Sequence, residues 1–210
     1  MEKILIKGIV IGDTCVGKSW MLEKLKHKDL ITINTSPTIG VDFFSFEKCI
    51  DKKKYKFNIW DTSGDEKFSS IVNSYFTNIT VCFICFSLKD KTGLTKLDML
   101  IKKAEYYCND DAVIALIGTR SDEQNISESF LEETLTKYNY PLYRVGNDYD
   151  SISKPVFEII DNIHKEIKQN KVKSGIIRGI ADVSISCDES EEFPFGTSCL
   201  NRILSKWMFM

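Results

Sequence analysis

Apolar residues in this chain gather into short, near-continuous runs, and the stretches between them repeat their apolar positions every three to four residues. Residues 4–11 (ILIKGIVI) form the first run and are predicted to be a strand buried on both faces. Residues 19–26 come next as a helix. Residues 41–50 and 55–60 read as two strands joined by the polar turn Asp51-Lys52-Lys53-Lys54, whose lysines suit a solvated hairpin tip. Residues 81–88 and 112–118 are further buried strands, and residues 142–145 a short one. Three more helices are expected. Residues 94–107 are amphipathic, and residues 129–138 carry helix-start chemistry at Ser127, Ser129 and Glu132. Residues 155–168 close the pattern, with Pro155 placed in the first turn and an apolar face of Val156, Ile159, Ile160, Ile163 and Ile167. Strands alternating with helices predict an α/β fold, a mostly parallel six-stranded sheet with helices on both faces. Ligands of such sheets bind at the carboxyl ends of the strands.

After about residue 170 the periodicity stops. Residues 171–179 are mildly basic, Asp188-Glu189-Ser190-Glu191-Glu192 is acidic, and Pro194 and Gly196 break the chain further. We therefore expect one domain over residues 1–170 and a flexible tail over 171–210. The final residues 203–210 (ILSKWMFM) are apolar again. They can dock on the body, lie unstructured, or contact a partner or membrane.

Composition narrows the setting. The chain has 210 residues, 43% hydrophobic and 28% charged, enough for one sizeable core. A net charge of -2 provides no field that would favour nucleic acid or an anionic membrane. Seven cysteines without a disulfide-like framework, and no leader-like start, predict a reducing cytoplasmic setting. Cys82-Phe83-Ile84-Cys85 has the spacing of a metal or redox pair, but it lies inside an apolar run with no second pair. Its thiols are expected to be core residues. The apolar run around residues 79–88 is about half the length that spanning a membrane requires.

The chemistry sits after the first predicted strand. Gly12-Asp13-Thr14-Cys15-Val16-Gly17-Lys18-Ser19 is a complete G-x-x-x-x-G-K-S phosphate loop between strand and helix. Its backbone N–H groups can curl around an anion, helped by the helix N-terminus. Lys18 would reach the terminal phosphates, and the Ser19 hydroxyl would bind Mg²⁺. The loop alone leaves ATP and GTP open. Asp61, in Trp60-Asp61-Thr62-Ser63-Gly64-Asp65-Glu66, ends a strand and can hold Mg²⁺ through water opposite Ser19. Gly64 can offer its N–H to a γ-phosphate. Thr38-Ile39-Gly40-Val41-Asp42-Phe43 lies between these motifs. Gly118-Thr119-Arg120-Ser121-Asp122 comes after a buried strand, where an aspartate can accept two hydrogen bonds from a guanine edge.

Taken in this order, the four segments resemble a Ras-like small GTPase, a P-loop NTPase G domain, and more narrowly the Rab branch. Thr38 to Phe43 matches the Rab switch I signature, and Trp60 to Glu66 resembles the switch II sequence W-D-T-A-G-Q-E. Lys67-Phe68-Ser69-Ser70-Ile71 and Tyr75-Phe76 resemble the Rab segments after it. The resemblance implies that Thr14, Cys15, Val16, Gly17, Lys18, Ser19 and Trp20 wrap the phosphates. It implies that Ser19 and Thr38 bind Mg²⁺ directly with Asp61 behind a water. Thr38 and Gly64 would sense the γ-phosphate. Asp122 would read guanine beside Thr119 and Arg120, and Gly146, Asn147 and Asp148 would form the base-side loop. The implied ligands are GTP or GDP with Mg²⁺. The implied partners are effectors through switch I (38–43) and switch II (61–75), exchange factors and GTPase-activating proteins, in vesicle traffic.

Several positions depart from that pattern. Asp65 stands where the family has the glutamine that orients the attacking water. A carboxylate is shorter, cannot donate when ionised, and adds negative charge where catalysis needs the opposite, so slow hydrolysis is expected. A hydrolysis-impaired, GTP-bound binding module or effector decoy is the alternative, and a P-loop ATPase or nucleoside kinase a third reading. Thr119 and Arg120 replace Asn and Lys. Leu30 or Ile31 takes the place of an aromatic residue that stacks on guanine, and the base-side lysine is lost, so faster nucleotide release is expected. Cys15 replaces a loop glycine. The last residues carry no prenylation motif, with Cys187 and Cys199 lying upstream of the end.

Overall fold

The computed structural model describes residues 3–29, 36–89, 91–169 and 175–177. Leu30, Ile31 and the stretch beyond 177, including Cys187, Cys199 and the apolar end, lie outside the described residues. Strands β1 (Lys3–Gly12), β2 (Val41–Ile50), β3 (Lys53–Thr62), β4 (Val81–Ser87), β5 (Val113–Thr119) and β6 (Leu142–Arg144) lie side by side in the order β2-β3-β1-β4-β5-β6. Only β2 runs antiparallel along this path, as the hairpin turn at Asp51-Lys52 dictates. Both turn residues take positive φ, 49° and 62°. The predicted six-strand sheet is therefore present. A short seventh strand, β7 (Gly175–Ile177), falls inside the stretch expected to be tail. It pairs antiparallel with Lys3, Ile4 and Leu5 of β1, whose edge β4 takes up only from Gly8 onward.

Among the described residues, five helices cover the sheet: α1 (Lys18–Lys26), α2 (Ser69–Ser74), α3 (Leu97–Tyr107), α4 (Glu128–Leu135) and α5 (Tyr149–Lys168). The near-continuous apolar strands have a reason in this layering. On β1, Ile4, Ile6 and Val10 pack with Met21, Leu22 and Leu25 of α1 and Ile152, Val156, Ile159, Ile160 and Ile163 of α5. Ile9 and Ile11 face the other way, into a core with Val72 of α2, Leu97, Leu100, Ile101 and Ala104 of α3, and Leu131 of α4. Cys82 and Cys85 are fully buried, as expected of core thiols, and burial pushes the Cys85 thiol up to about 12.

The elements differ from the sequence reading in several places. Pro155 is not in the first turn of α5, which begins six residues earlier at Tyr149. The Asp148 side chain accepts from the Ser151 N–H at 2.9 Å and starts the helix there, so Pro155 lies inside it without a donor for the preceding turn. Residues 91–94 form a separate 3₁₀ turn before α3. The six-residue α2 has no counterpart in the sequence pattern, because two serines lead into it and it offers too few apolar positions to show a period. The buried His164, isolated in the sequence, shares hydrogen bonds with the Tyr55 hydroxyl and, at 3.1 Å, with Asp51 Oδ2. It ties the β2–β3 hairpin to α5.

Candidate functional site

The predicted phosphate-side residues gather at the carboxyl ends of β1 and β3. β1 ends at Gly12 and α1 begins at Lys18, and the loop between them turns back on itself through two left-handed residues, Cys15 (φ 62°) and Gly17 (φ 97°). An L side chain at Cys15 in this left-handed conformation costs roughly 1 kcal/mol. No side chain caps α1, and its first turn has no acid, so its leading N–H groups face the loop. Lys18 is only 6% exposed. Its Nζ donates to the Gly12 carbonyl at 3.0 Å and the Asp13 carbonyl at 2.8 Å, spanning the loop from inside. Burial lowers its pKa, with Cys85 and Asp61 opposing that shift.

Three oxygen-bearing side chains from distant segments converge beside it. Ser19 Oγ donates to Asp61 Oδ2 at 2.5 Å and lies 2.8 Å from Thr38 Oγ1, and Thr38 Oγ1 donates to the same carboxylate oxygen at 3.3 Å. Asp61 is 5% exposed, and its other oxygen, Oδ1, is buried with no partner. Burial raises the Asp61 pKa, opposed by the Ser19 hydrogen bond and the Lys18 charge. A buried carboxylate with an orphaned oxygen beside two hydroxyls suits a hard divalent cation such as Mg²⁺. These are the three metal-site residues expected from the sequence. A cavity of about 350 Å³ opens here between residues 14–15, 17–20, 36–39 and 62–65.

Gly64 is pressed onto the phosphate loop. A Cβ there would stand 2.3 Å from the Asp13 carbonyl carbon and from the Thr14 nitrogen. Asp65, next in the chain, turns its carboxylate to its own neighbour. Oδ1 accepts from the Lys67 N–H at 3.1 Å and caps a 3₁₀ turn (Glu66–Phe68), while Oδ2 lies 2.7 Å from Lys67 Nζ. Lys67 holds this carboxyl below the usual carboxylate range. No motif in the chain announces that pairing.

The base-side residues also come together. Thr119 is buried at the end of β5, and its Oγ1 lies within reach of two carbonyls, Val16 at 2.5 Å and Phe86 at 3.0 Å. Arg120 (φ 56°) donates through Nη2 to the Cys15 carbonyl at 3.0 Å. These two side chains thus tie the end of β5 to the phosphate loop. Asp122 is exposed close to Gly146, where a Cβ would meet Asp122 Oδ1 at 3.3 Å. Asn147 is exposed and Asp148 caps α5, an occupation that the sequence reading did not assign to it. Trp20 packs partly against the core on the α1 side. Missed by the sequence reading were Asp13, Lys67 and Lys96, because their contacts are ion pairs whose partners no short motif announces.

The exposed side of the switch segments carries large apolar groups. Ile39 is 82% exposed and Ile71 49%. Phe43, Trp60 and Tyr75 form a continuous aromatic group, with ring centroids 4.8 Å apart at each contact.

Comparison with known proteins agrees with this geometry. The model of the Ras family matches residues 7–168. The chain is 35% identical over 124 residues to the Ras-related protein Rab-11B of Dictyostelium discoideum, covering 59% of this chain and 56% of that protein. It is 27% identical over 179 residues to the Ras-related protein RABA6b of Arabidopsis thaliana, covering 83% and 78% of the two chains. RABA6a of the same plant gives 27% over 186 residues, with 87% and 79% covered. With the phosphate loop, the Ser19–Thr38–Asp61 cluster and a family match over most of its length, this chain belongs to the Ras family of small GTPases.

Proposed function

We propose that the chain is a Rab-like GTP/GDP switch that binds GTP with Mg²⁺, hydrolyses it slowly by itself, and recruits effectors in membrane traffic. The observation that carries this reading is the convergence of Ser19, Thr38 and Asp61 beside the buried Lys18, with one Asp61 oxygen left unmet. When bound there, Mg²⁺ would supply positive charge against the β- and γ-phosphate oxygens. The protein's part is positional. Lys18 and the phosphate-loop N–H groups hold the phosphates, Ser19 and Thr38 face the metal, and Gly64 lies against the loop where a γ-phosphate would end. Thr38 comes from switch I and Gly64 from switch II, so a γ-phosphate would tie both segments down and its loss would release them. Thr119, Arg120, Asp122 and Gly146 support the guanine side, with Asn147 and Asp148 at its rim.

Effectors would read switch I (38–43) and switch II (61–75) through Ile39, Phe43 and Ile71. Exchange factors and GTPase-activating proteins complete the cycle, and nucleic acid has no part in it. No helix among the described residues is long and apolar enough to cross a membrane. Our reading is a cytoplasmic protein, with membrane association left open.

Slow hydrolysis is the consequence of Asp65. Its carboxylate is ionised, caps the 3₁₀ turn and binds Lys67, so it has no donor to aim at a water. Asp65→Gln is expected to raise the single-turnover rate of GTP cleavage about tenfold or more, measured on protein loaded with radiolabelled GTP. An unchanged rate removes Asp65 as the cause. The engaged carboxylate also favours a second reading, a persistently GTP-bound binding module. The nucleotide released on denaturing freshly purified protein separates the two. GDP supports the switch, GTP supports the binding module, and adenine nucleotide overturns both.

A further inference from the structure

We infer that Lys96 is a positioning residue: it fastens switch II to the phosphate loop, and so sets how long Gly64 and Asp65 stay over the nucleotide site. This deepens the GTP-switch reading and rests on it. Lys96 immediately precedes α3 and comes from none of the nucleotide-binding motifs. Its Nζ lies 3.0 Å from Asp13 Oδ1 and 3.4 Å from Glu66 Oε1. The same Asp13 oxygen accepts the Thr14 N–H at 2.7 Å. One ammonium thus joins three elements: the phosphate loop, the first turn of switch II, and the start of α3.

The arrangement has a physical purpose. Asp13 and Glu66 are both acidic, and without a cation between them they would repel each other across the contact that Gly64 makes with the loop. Lys96 turns that repulsion into a bridge, and its own pKa is raised chiefly by Asp13, so it stays charged. The contact is strong only as a network. The Lys96 and Glu66 side chains are 39% and 75% exposed, and an isolated pair at that exposure contributes little. What distinguishes this one is that its three members lie on parts that the nucleotide cycle must move relative to one another.

The test compares wild type with Lys96→Ala and Lys96→Arg. Three readouts are used: single-turnover cleavage of radiolabelled GTP, binding of a fluorescent GTP analogue, and backbone hydrogen exchange over residues 61–70. At low salt, Lys96→Ala is expected to cleave GTP roughly threefold to tenfold more slowly, with analogue binding changed less than twofold. Its residues 61–70 should exchange several-fold faster. Lys96→Arg keeps the charge and should restore both rate and protection. Raising salt to about 0.5 M should bring wild type towards Lys96→Ala while leaving Lys96→Ala itself unmoved. Glu66→Gln should reproduce part of the effect and add little to Lys96→Ala. Equal rate and equal protection in Lys96→Ala and wild type overturn the inference, as does a Lys96→Arg protein that behaves like the alanine variant. If wild type binds no GTP analogue at all, it is the GTPase reading that fails. Hydrogen exchange of the nucleotide-free proteins then still decides whether the bridge exists.

Discussion

Lys18→Ala is expected to weaken GTP binding by roughly two to three orders of magnitude. Hydrogen bonds to a charged group contribute about 1.5–3 kcal/mol each, and each 1.4 kcal/mol is about tenfold in affinity, so losing two such bonds at the phosphates is enough. The structure shows why no neighbour can take over. Lys18 is 6% exposed and its amine lies between the Gly12 and Asp13 carbonyls, so the cation is built into the loop. Its loss also leaves Asp61 without the buried cation that offsets its desolvation. Lys18→Arg should not rescue binding, because a planar fork does not fit the space between two carbonyls that a compact ammonium fills. Titration of each variant with a fluorescent GTP analogue, in the presence of Mg²⁺, measures this. An affinity within tenfold of wild type would show that Lys18 serves the loop and not the phosphates.

The second large effect is at Gly64. A methyl group there would lie 2.3 Å from the Asp13 carbonyl carbon and the Thr14 nitrogen, and 2.6 Å from the Asp13 oxygen, all of them backbone atoms that no rotamer change can move. Gly64→Ala must therefore lift switch II from the phosphate loop. The expected result is at least a tenfold loss of GTP cleavage, with GDP affinity changed only a few-fold, because the displaced segment faces the γ-phosphate position and not the base. The overpacking itself should destabilise the fold by about 1–3 kcal/mol, visible as a lower melting temperature. Single-turnover cleavage and GDP titration on the same preparation separate the two consequences. Wild-type cleavage in Gly64→Ala would mean that switch II works from a position other than the one seen against the loop.

The two effects differ in how far they could be read beforehand. Lys18 belongs to a contiguous motif whose chemistry is made largely by backbone, so its spacing alone names its task. Gly64 lies in a motif that named its N–H, but the closeness of its Cα to Asp13 and Thr14, some fifty residues away in sequence, exists only in the folded chain. Asp65 is intermediate. A carboxylate at this place in the motif was legible, whereas the capping of the 3₁₀ turn and the Lys67 pair were not.

By itself the sequence determined the layered α/β architecture, the phosphate loop, the trio Ser19, Thr38 and Asp61, and the family. These come from local patterns: apolar runs that only a doubly covered sheet can bury, and short motifs whose residues act where they stand. Tertiary structure decided the rest. It started α5 at Tyr149, because an aspartate cap outweighed the proline signal six residues on. It added β7 to the part of the β1 edge that β4 leaves open. It turned Thr119 and Arg120 into ties to the phosphate loop, and brought Lys96 to Asp13 across 83 positions of sequence. Each of these contacts joins side chains or edges far apart in the chain. Their energy depends on distance and burial in space, and periodicity along a sequence carries neither.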